Sequence, residues 1–336
     1  MAELHSVRQN GPARMSRSLD VIVLGEVLVE LASPVPLADA DELRLSFSGD
    51  DLNAAAAAAA AGASVGLVTA VGDDELGERI IRFAHDRGID TTYVDRRPEP
   101  NDIYFASADP GGAREFVYVR RGSAASTIGP DDVLRAPLER AGALVAGGIT
   151  QALSASCAEA VAVAVSTVAR AGGQVVFDPN FRDRLTTAAA ARAALGRVAP
   201  HAALVLPSCP GDTEPLLGTD DPATAAARCR ELGAAAVAVT CGEDGVLADL
   251  GDGATHLPPM RARSVVDTTG AGDVLAGTAA ARLALGDPLL EALHLGMAAA
   301  TLSLAGAGGT GRLATLVQSR ELVRRRPQRR VPAAAR

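Results

Sequence analysis

Apolar residues fall along this chain in short, nearly unbroken runs separated by alanine-rich stretches. The runs DVIVLG at 20–25, SVGLVTA at 64–70, GALVA at 142–146, QVVFD at 174–178, AALVL at 202–206, AVAVT at 236–240 and VLADL at 246–250 are too short for helices. They read as strands, and because few positions alternate to polar, both faces are expected to be covered, as in a parallel sheet. Helices are expected near 53–61, 75–87, 155–171, 186–197, 221–232, 273–285 and 288–304. This alternation predicts an α/β fold of three layers, with ligands outside the carboxyl ends of the strands.

One region departs from the rhythm. NDIYFASADPGGAREFVYVRR at 101–121 alternates with period two about Asp109-Pro110-Gly111-Gly112, the pattern of a β-hairpin with one polar face. With residues 27–33 and 42–47 it predicts a small antiparallel sheet projecting as a lid. The expected organisation is therefore one domain over 20–318 with a discontinuous lid (27–47 and 101–121), an N-terminal tail at 1–19 and a basic tail at 319–336. The uncharged stretch 53–72 is long enough to invite a membrane reading. It is mostly alanine and broken at Gly62, so a buried helix followed by a buried strand is expected instead, with no membrane partner.

Composition narrows the chemistry. Hydrophobic residues make up 48% and aromatics 3% of the 336, so the core must be built from Ala, Val, Leu and Ile. Net charge is −8, with +6 on residues 320–336 and +2 on 1–19, which leaves −16 on 20–319. An acidic body argues against nucleic acid as a partner. All 32 basic residues are Arg. The absence of lysine excludes Schiff-base aldolases, pyridoxal enzymes, and Walker-type or protein-kinase ATP sites. Cys157, Cys209, Cys229 and Cys241 lie far apart and the five His are scattered, so neither a disulfide frame nor a His/Cys metal site is expected. Residues 1–19 are polar without an apolar segment, so the expected location is the cytoplasm.

The densest chemistry is VVDTTGAGDVLAG at 265–277. Gly270 and Gly272 free the backbone to turn and present successive N–H groups. A helix beginning there adds the positive end of its dipole, so the loop suits a phosphoryl group. Asp273 in the first turn would face the same place. It reads equally as a helix-stabilising carboxylate and as a base that takes a proton from an attacking hydroxyl. Gly-Ala-Gly-Asp lies late in the chain and lacks the third glycine of a dinucleotide fingerprint.

DTTGAGDVLAG resembles the C-terminal motif D-T-x-G-A-G-D of the ribokinase-like (PfkB) carbohydrate kinases, and the resemblance runs from about residue 20 to 318. It implies a three-layer α/β/α ribokinase-like fold with a β lid, Asp273 as base, and Gly270, Ala271 and Gly272 as the anion hole. It also implies ATP and Mg2+ as cofactors and a homodimer through the lid. FSGDDLNAAAAAAAAGASVGLVTAVGDDELG at 47–77 resembles the family's sugar-binding region, with Ser48-Gly49 in place of its glycine pair. Gly49, Asp50 and Asn53 are implied as contacts to sugar hydroxyls; the alternative is that Asp50, Asp51 and Asn53 cap the helix. VTCGEDGVLA at 239–248 resembles the nucleotide segment, implying Thr240, Gly242 and Gly245 near ATP.

IYFASADPGGAREFVYVRRGSAAS, GGITQALS and FDPNFRDRL are similar to the 2-keto-3-deoxygluconate kinases within that family. The similarity implies Tyr104, Tyr118, Arg120 and Arg182 around a sugar acid, phosphorylated at its terminal hydroxyl. Arg meets a carboxylate with a planar two-donor fork, which a neutral sugar does not need. The alternatives are a fructokinase or other neutral-sugar kinase, and more remotely a non-catalytic sugar-binding regulator. The segment LPSCPGDTEPLLG departs from the family pattern. Ser208 fits, but the acid that helps organise Mg2+ is displaced, leaving Asp212 or Glu214 and no assigned metal ligand.

Overall fold

A computed structural model describes residues 19–108 and 114–325. The hairpin turn expected at 109–112 lies outside the described residues, as do 1–18 and 326–336. The strands are β1 (Val21–Leu24), β2 (Leu28–Ser33), β3 (Arg44–Ser48), β4 (Val65–Gly72), β5 (Ile89–Asp90), β6 (Val94–Arg97), β7 (Asp102–Ala108), β8 (Arg114–Val119), β9 (Ala143–Gly147), β10 (Gln174–Asp178), β11 (Leu204–Val205), β12 (Val237–Thr240), β13 (Val246–Asp249) and β14 (Ala254–Leu257). The helices are α1 (Asp50–Ala60), α2 (Glu75–His85), α3 (Pro130–Leu134), α4 (Gly148–Leu153), α5 (Ala155–Arg170), α6 (Ala188–Val198), α7 (Thr213–Leu217), α8 (Pro222–Glu231), α9 (Ala271–Ala284), α10 (Leu289–Ser303) and α11 (Leu316–Arg324).

The main sheet runs β14-β13-β12-β11-β10-β9-β1-β4-β5, with β6 also paired to β4. Pairing is parallel from β5 to β12 and antiparallel only at the β12–β13–β14 edge. Successive side chains of β1 feed opposite layers. Val21 and Val23 join the core beneath α1, α2, α9 and α10, while Ile22 and Leu24 join the core beneath α5, α6 and α8. Covering both faces explains why these strands are apolar throughout. The chain leaves β1 for β4 on one side and returns to β9 on the other. The strand order therefore reverses beside β1, and a crevice opens beyond the carboxyl ends there.

Every expected strand and helix is present, with ends shifted by a few residues. The additional elements are either short or polar: α3, α4 and α7 are too brief to show a period, and β5, β6 and β14 carry few apolar residues. The basic stretch expected as a tail from residue 319 begins inside α11. A Thr315–Gln318 capping box starts that helix, and charge alone did not reveal it.

The small sheet, ordered β3-β2-β7-β8, is mixed rather than antiparallel as expected. β2–β3 and β7–β8 are antiparallel, but β2 and β7 run parallel. The chain passes through α1, β4 and α2 between them, and such a crossover returns it in the same direction. Tyr104, Phe116 and Tyr118 cluster on one face, with the two tyrosine rings 5.7 Å apart. Val117 and Val119 lie exposed on the other. No helix among the described residues is long and apolar enough to cross a membrane.

Candidate active site

Close contact between α1 and α9 sets the site. A Cβ on Gly277 would lie 2.0 Å from the Ala54 carbonyl oxygen, so the two backbones touch where only glycine fits. Both helices start at the crevice end of the sheet, which brings Asn53 to the first turn of α9. Its Nδ2 donates to Asp273 Oδ2 at 2.8 Å. Helix α1 itself is preceded by Gly49, with no side-chain capping bond. Asp51 accepts instead from Thr150 Oγ1 at 3.1 Å. Asp51 and Asn53 at the start of α1 are thus turned to tertiary contacts.

Gly270 precedes α9 in the left-handed conformation, φ 78°, and a Cβ there would meet Gly309 Cα at 2.7 Å. The first-turn N–H groups that follow lack acceptors within the helix; Ala271 N donates instead to the Thr268 carbonyl at 3.3 Å. Asp267 braces this loop: Oδ1 accepts from Thr269 N at 2.9 Å and Oδ2 from Gly308 N. The glycine-rich segment 306–311, which the sequence reading passed over, packs its backbone against Asn53 and closes that side.

A cavity of about 530 Å³ opens here. Gly49, Asp50, Asn53, Tyr104, Tyr118, Arg120, Arg182, Thr240, Gly270, Ala271, Gly272 and Asp273 all line it. Gly242 and Gly245 do not; they form the β12–β13 turn at φ 55° and 91°. Ser208 and Asp212 line the cavity, whereas Glu214 does not. Glu26, Asp178 and Asn180 also line it and were missed. Glu26 follows β1, and Asp178 and Asn180 end and follow β10, so position just beyond a parallel strand was the signal available. Asn180 is the one non-glycine residue with positive φ, 37°, among those described.

The carboxylates differ in what occupies them. Asp212 is saturated: Oδ1 accepts from Phe181 N at 2.6 Å, and Oδ2 from Ser208 N and Oγ at 2.7 Å each. Asp178 accepts only from Asn180 N, at 2.9 Å. Asp50 keeps a buried Oδ1 with no hydrogen bond. Burial pushes Asp273 up to about 6, with Asp50 adding to the shift and Asn53 and Arg182 opposing it. Asp178 is pushed well above the carboxylate range by burial, then by Asp212 and Asp273. Burial raises Asp50 too, against the pull of Arg120 and Arg182.

The two arginines are held differently. Arg120, 9% exposed in its side chain, lies 3.1 Å from Glu26 Oε1 and its guanidinium carbon sits 4.0 Å from the Tyr118 ring centre. Arg182 is exposed, and its Nη1 donates to the Phe181 carbonyl at 2.9 Å. Tyr104 offers the cavity its ring, because its hydroxyl donates to buried Glu30. No group of three or more His, Cys, Asp or Glu among the described residues is placed to hold a metal.

The sequence model described as pfkB family carbohydrate kinase matches residues 18–315. A 2-dehydro-3-deoxygluconokinase of Thermoproteus tenax is 35% identical over 331 residues, covering 96% of this chain and 99% of the relative. Among solved structures, a PfkB protein from Polaromonas sp. JS666 is 29% identical with a TM-score of 0.79, covering 91% of this chain and 99% of that one. Fructokinase with bound ATP from Xylella fastidiosa has a TM-score of 0.79 at 22% identity, covering 91% and 98%. The chain belongs to the pfkB carbohydrate kinase family. It is a sugar kinase with the three-layer ribokinase-like fold and small β lid.

Proposed function

We propose that the protein transfers the γ-phosphate of ATP to the terminal hydroxyl of a sugar acid, 2-keto-3-deoxygluconate (2-dehydro-3-deoxygluconate) being the substrate and its 6-phosphate the product. One observation carries the choice of an acid: Arg120 and Arg182 line the same cavity as Asp273. Two arginine forks opposite a base suit a molecule with a carboxylate at one end and a hydroxyl at the other. The name of the Thermoproteus tenax relative agrees with this reading.

Asn53 fixes one oxygen of Asp273 and leaves the other for the substrate. A carboxylate with its pKa near 6 is ionised at neutral pH and strong enough to accept the hydroxyl proton. As the proton passes to Asp273, the hydroxyl oxygen bonds to the γ-phosphorus and the bridging oxygen leaves with ADP. The N–H groups of the Gly270–Gly272 turn hold the charge on the transferring phosphoryl group. Asp50, with its free oxygen, and Asn53 orient the sugar hydroxyls, while Thr240 lies along the nucleotide. Gly242 and Gly245 shape the turn behind Thr240.

The cavity acids fit a Mg2+ that arrives on the nucleotide's phosphates, since both Asp212 oxygens accept hydrogen bonds while one Asp178 oxygen does not. Asp178, with one oxygen unbonded, is the side chain to hold it. When bound, the ion would offset charge on the phosphates. We also assign residues 20–318 as the catalytic unit, place it in the cytoplasm, and pair two copies through the lid faces bearing Val117 and Val119. Light scattering that returns a monomer mass would remove the pairing.

A coupled ATP-consumption assay across sugar acids and neutral sugars tests the function. ATP use with 2-keto-3-deoxygluconate and little with fructose is expected. Fructose as the better substrate would establish the neutral-sugar alternative, and no ATP use with any sugar would favour a binding protein.

A further inference from the structure

Glu26 is fully buried, yet neither carboxylate oxygen makes a hydrogen bond. Its one polar contact among the described residues is the ionic approach of Arg120 Nη2 at 3.1 Å. Arg120 in turn has a buried Nε without a hydrogen-bond partner, and its guanidinium rests against the Tyr118 ring. Both side chains line the cavity. A buried ion pair so sparsely bonded adds little to the fold, because desolvation offsets the attraction. Burial pushes Glu26 well above the usual carboxylate range, and Asp50 and Asp102 add to the shift while Arg120 opposes it.

What the pair does provide is orientation. Tyr118 limits the guanidinium on its face and Glu26 limits it at one edge, which leaves Arg120 with unspent donors in the cavity. Glu26 is itself fixed from behind. A Cβ on the preceding Gly25 would lie 1.8 Å from Asp51 Oδ2, so the backbone there packs directly against that side chain. Resting on the sugar-acid reading above, we infer that Glu26 is a positioning residue. It holds Arg120 so that the remaining N–H groups meet the substrate carboxylate. Selectivity for an acid over a neutral sugar then depends on a residue that does not bind the carboxylate.

The test compares wild type, Glu26→Gln, Glu26→Asp, Arg120→Met and the Glu26→Gln/Arg120→Met double variant. Each is assayed for kcat and KM with 2-keto-3-deoxygluconate and for KM with ATP. Glu26→Gln is expected to raise the sugar-acid KM roughly tenfold, with kcat and the ATP KM within about threefold of wild type. Glu26→Asp, which keeps the charge one methylene further back, should fall between them and serves if the glutamine variant does not fold. In the Arg120→Met background the Glu26→Gln change should add almost nothing. A sugar-acid KM unchanged in both Glu26 variants, or effects that add in the double variant, would overturn the positioning role. A wild type that prefers neutral sugars would instead overturn the substrate reading, so the two failures are separable.

Discussion

The cavity has two walls of different origin. One is the strand-end floor, where Asn53, Asp273 and the Gly270–Gly272 turn are locked by helix contact and backbone hydrogen bonds. The other is the lid wall of Tyr104, Tyr118 and Arg120, carried on a small sheet whose outer valines are bare. Under the proposed function the floor would supply what any phosphoryl transfer to a hydroxyl requires, a base and an anion hole. Under the same proposal the lid and Arg182, which line the same cavity, would distinguish a charged sugar. On this account, damage to the floor should stop the reaction, and damage to the lid side should change which sugar reacts.

Asp273→Asn should break the floor most severely. It removes the proton acceptor but keeps the side-chain shape, so kcat should fall by about a thousandfold with KM values little changed, read by steady-state kinetics. Gly277→Val should act through packing. Its side chain would strike the Ala54 carbonyl, part α1 from α9, and destabilise the protein by about 3 kcal/mol in urea unfolding. Retained stability would mean that the helix contact is looser than it stands here.

The pH profile sharpens the same wall. With Asp273 raised from the ordinary 3.8 to about 6, kcat should drop about tenfold per pH unit below 6 and level off above it. The stability effect has the opposite sign. A carboxyl whose folded pKa is raised favours the fold most at pH below about 4, and this contribution is lost as pH rises through about 6. Activity and this part of stability should therefore move against each other over that window.

The floor was the more legible wall in the sequence. Fully apolar strands announced a sheet buried on both sides, and Gly-Ala-Gly-Asp announced a glycine turn into a helix with a carboxylate in its first turn. Spacing alone left Asp273 open between cap and base, and the family resemblance implied the base. The structure adds a partner, Asn53, that a simple cap does not require. Glu26 and Asp178 escaped notice because a single acid after an apolar run has no period, and its meaning comes from strands far apart in the chain. The lid's mixed topology was equally hidden, since local alternation does not tell which strand lies beside β2. Asp212 became a candidate through the family resemblance, and its three hydrogen bonds show that both oxygens are already engaged.

The contrast between the walls is tested most directly by the ratio of kcat/KM for 2-keto-3-deoxygluconate to that for fructose, measured in wild type and in Arg182→Ala. The account expects the variant to lose roughly tenfold or more with the acid and almost nothing with fructose, so the ratio collapses. Equal losses with both sugars would contradict it, because Arg182 would then be supporting the site as a whole instead of meeting a carboxylate.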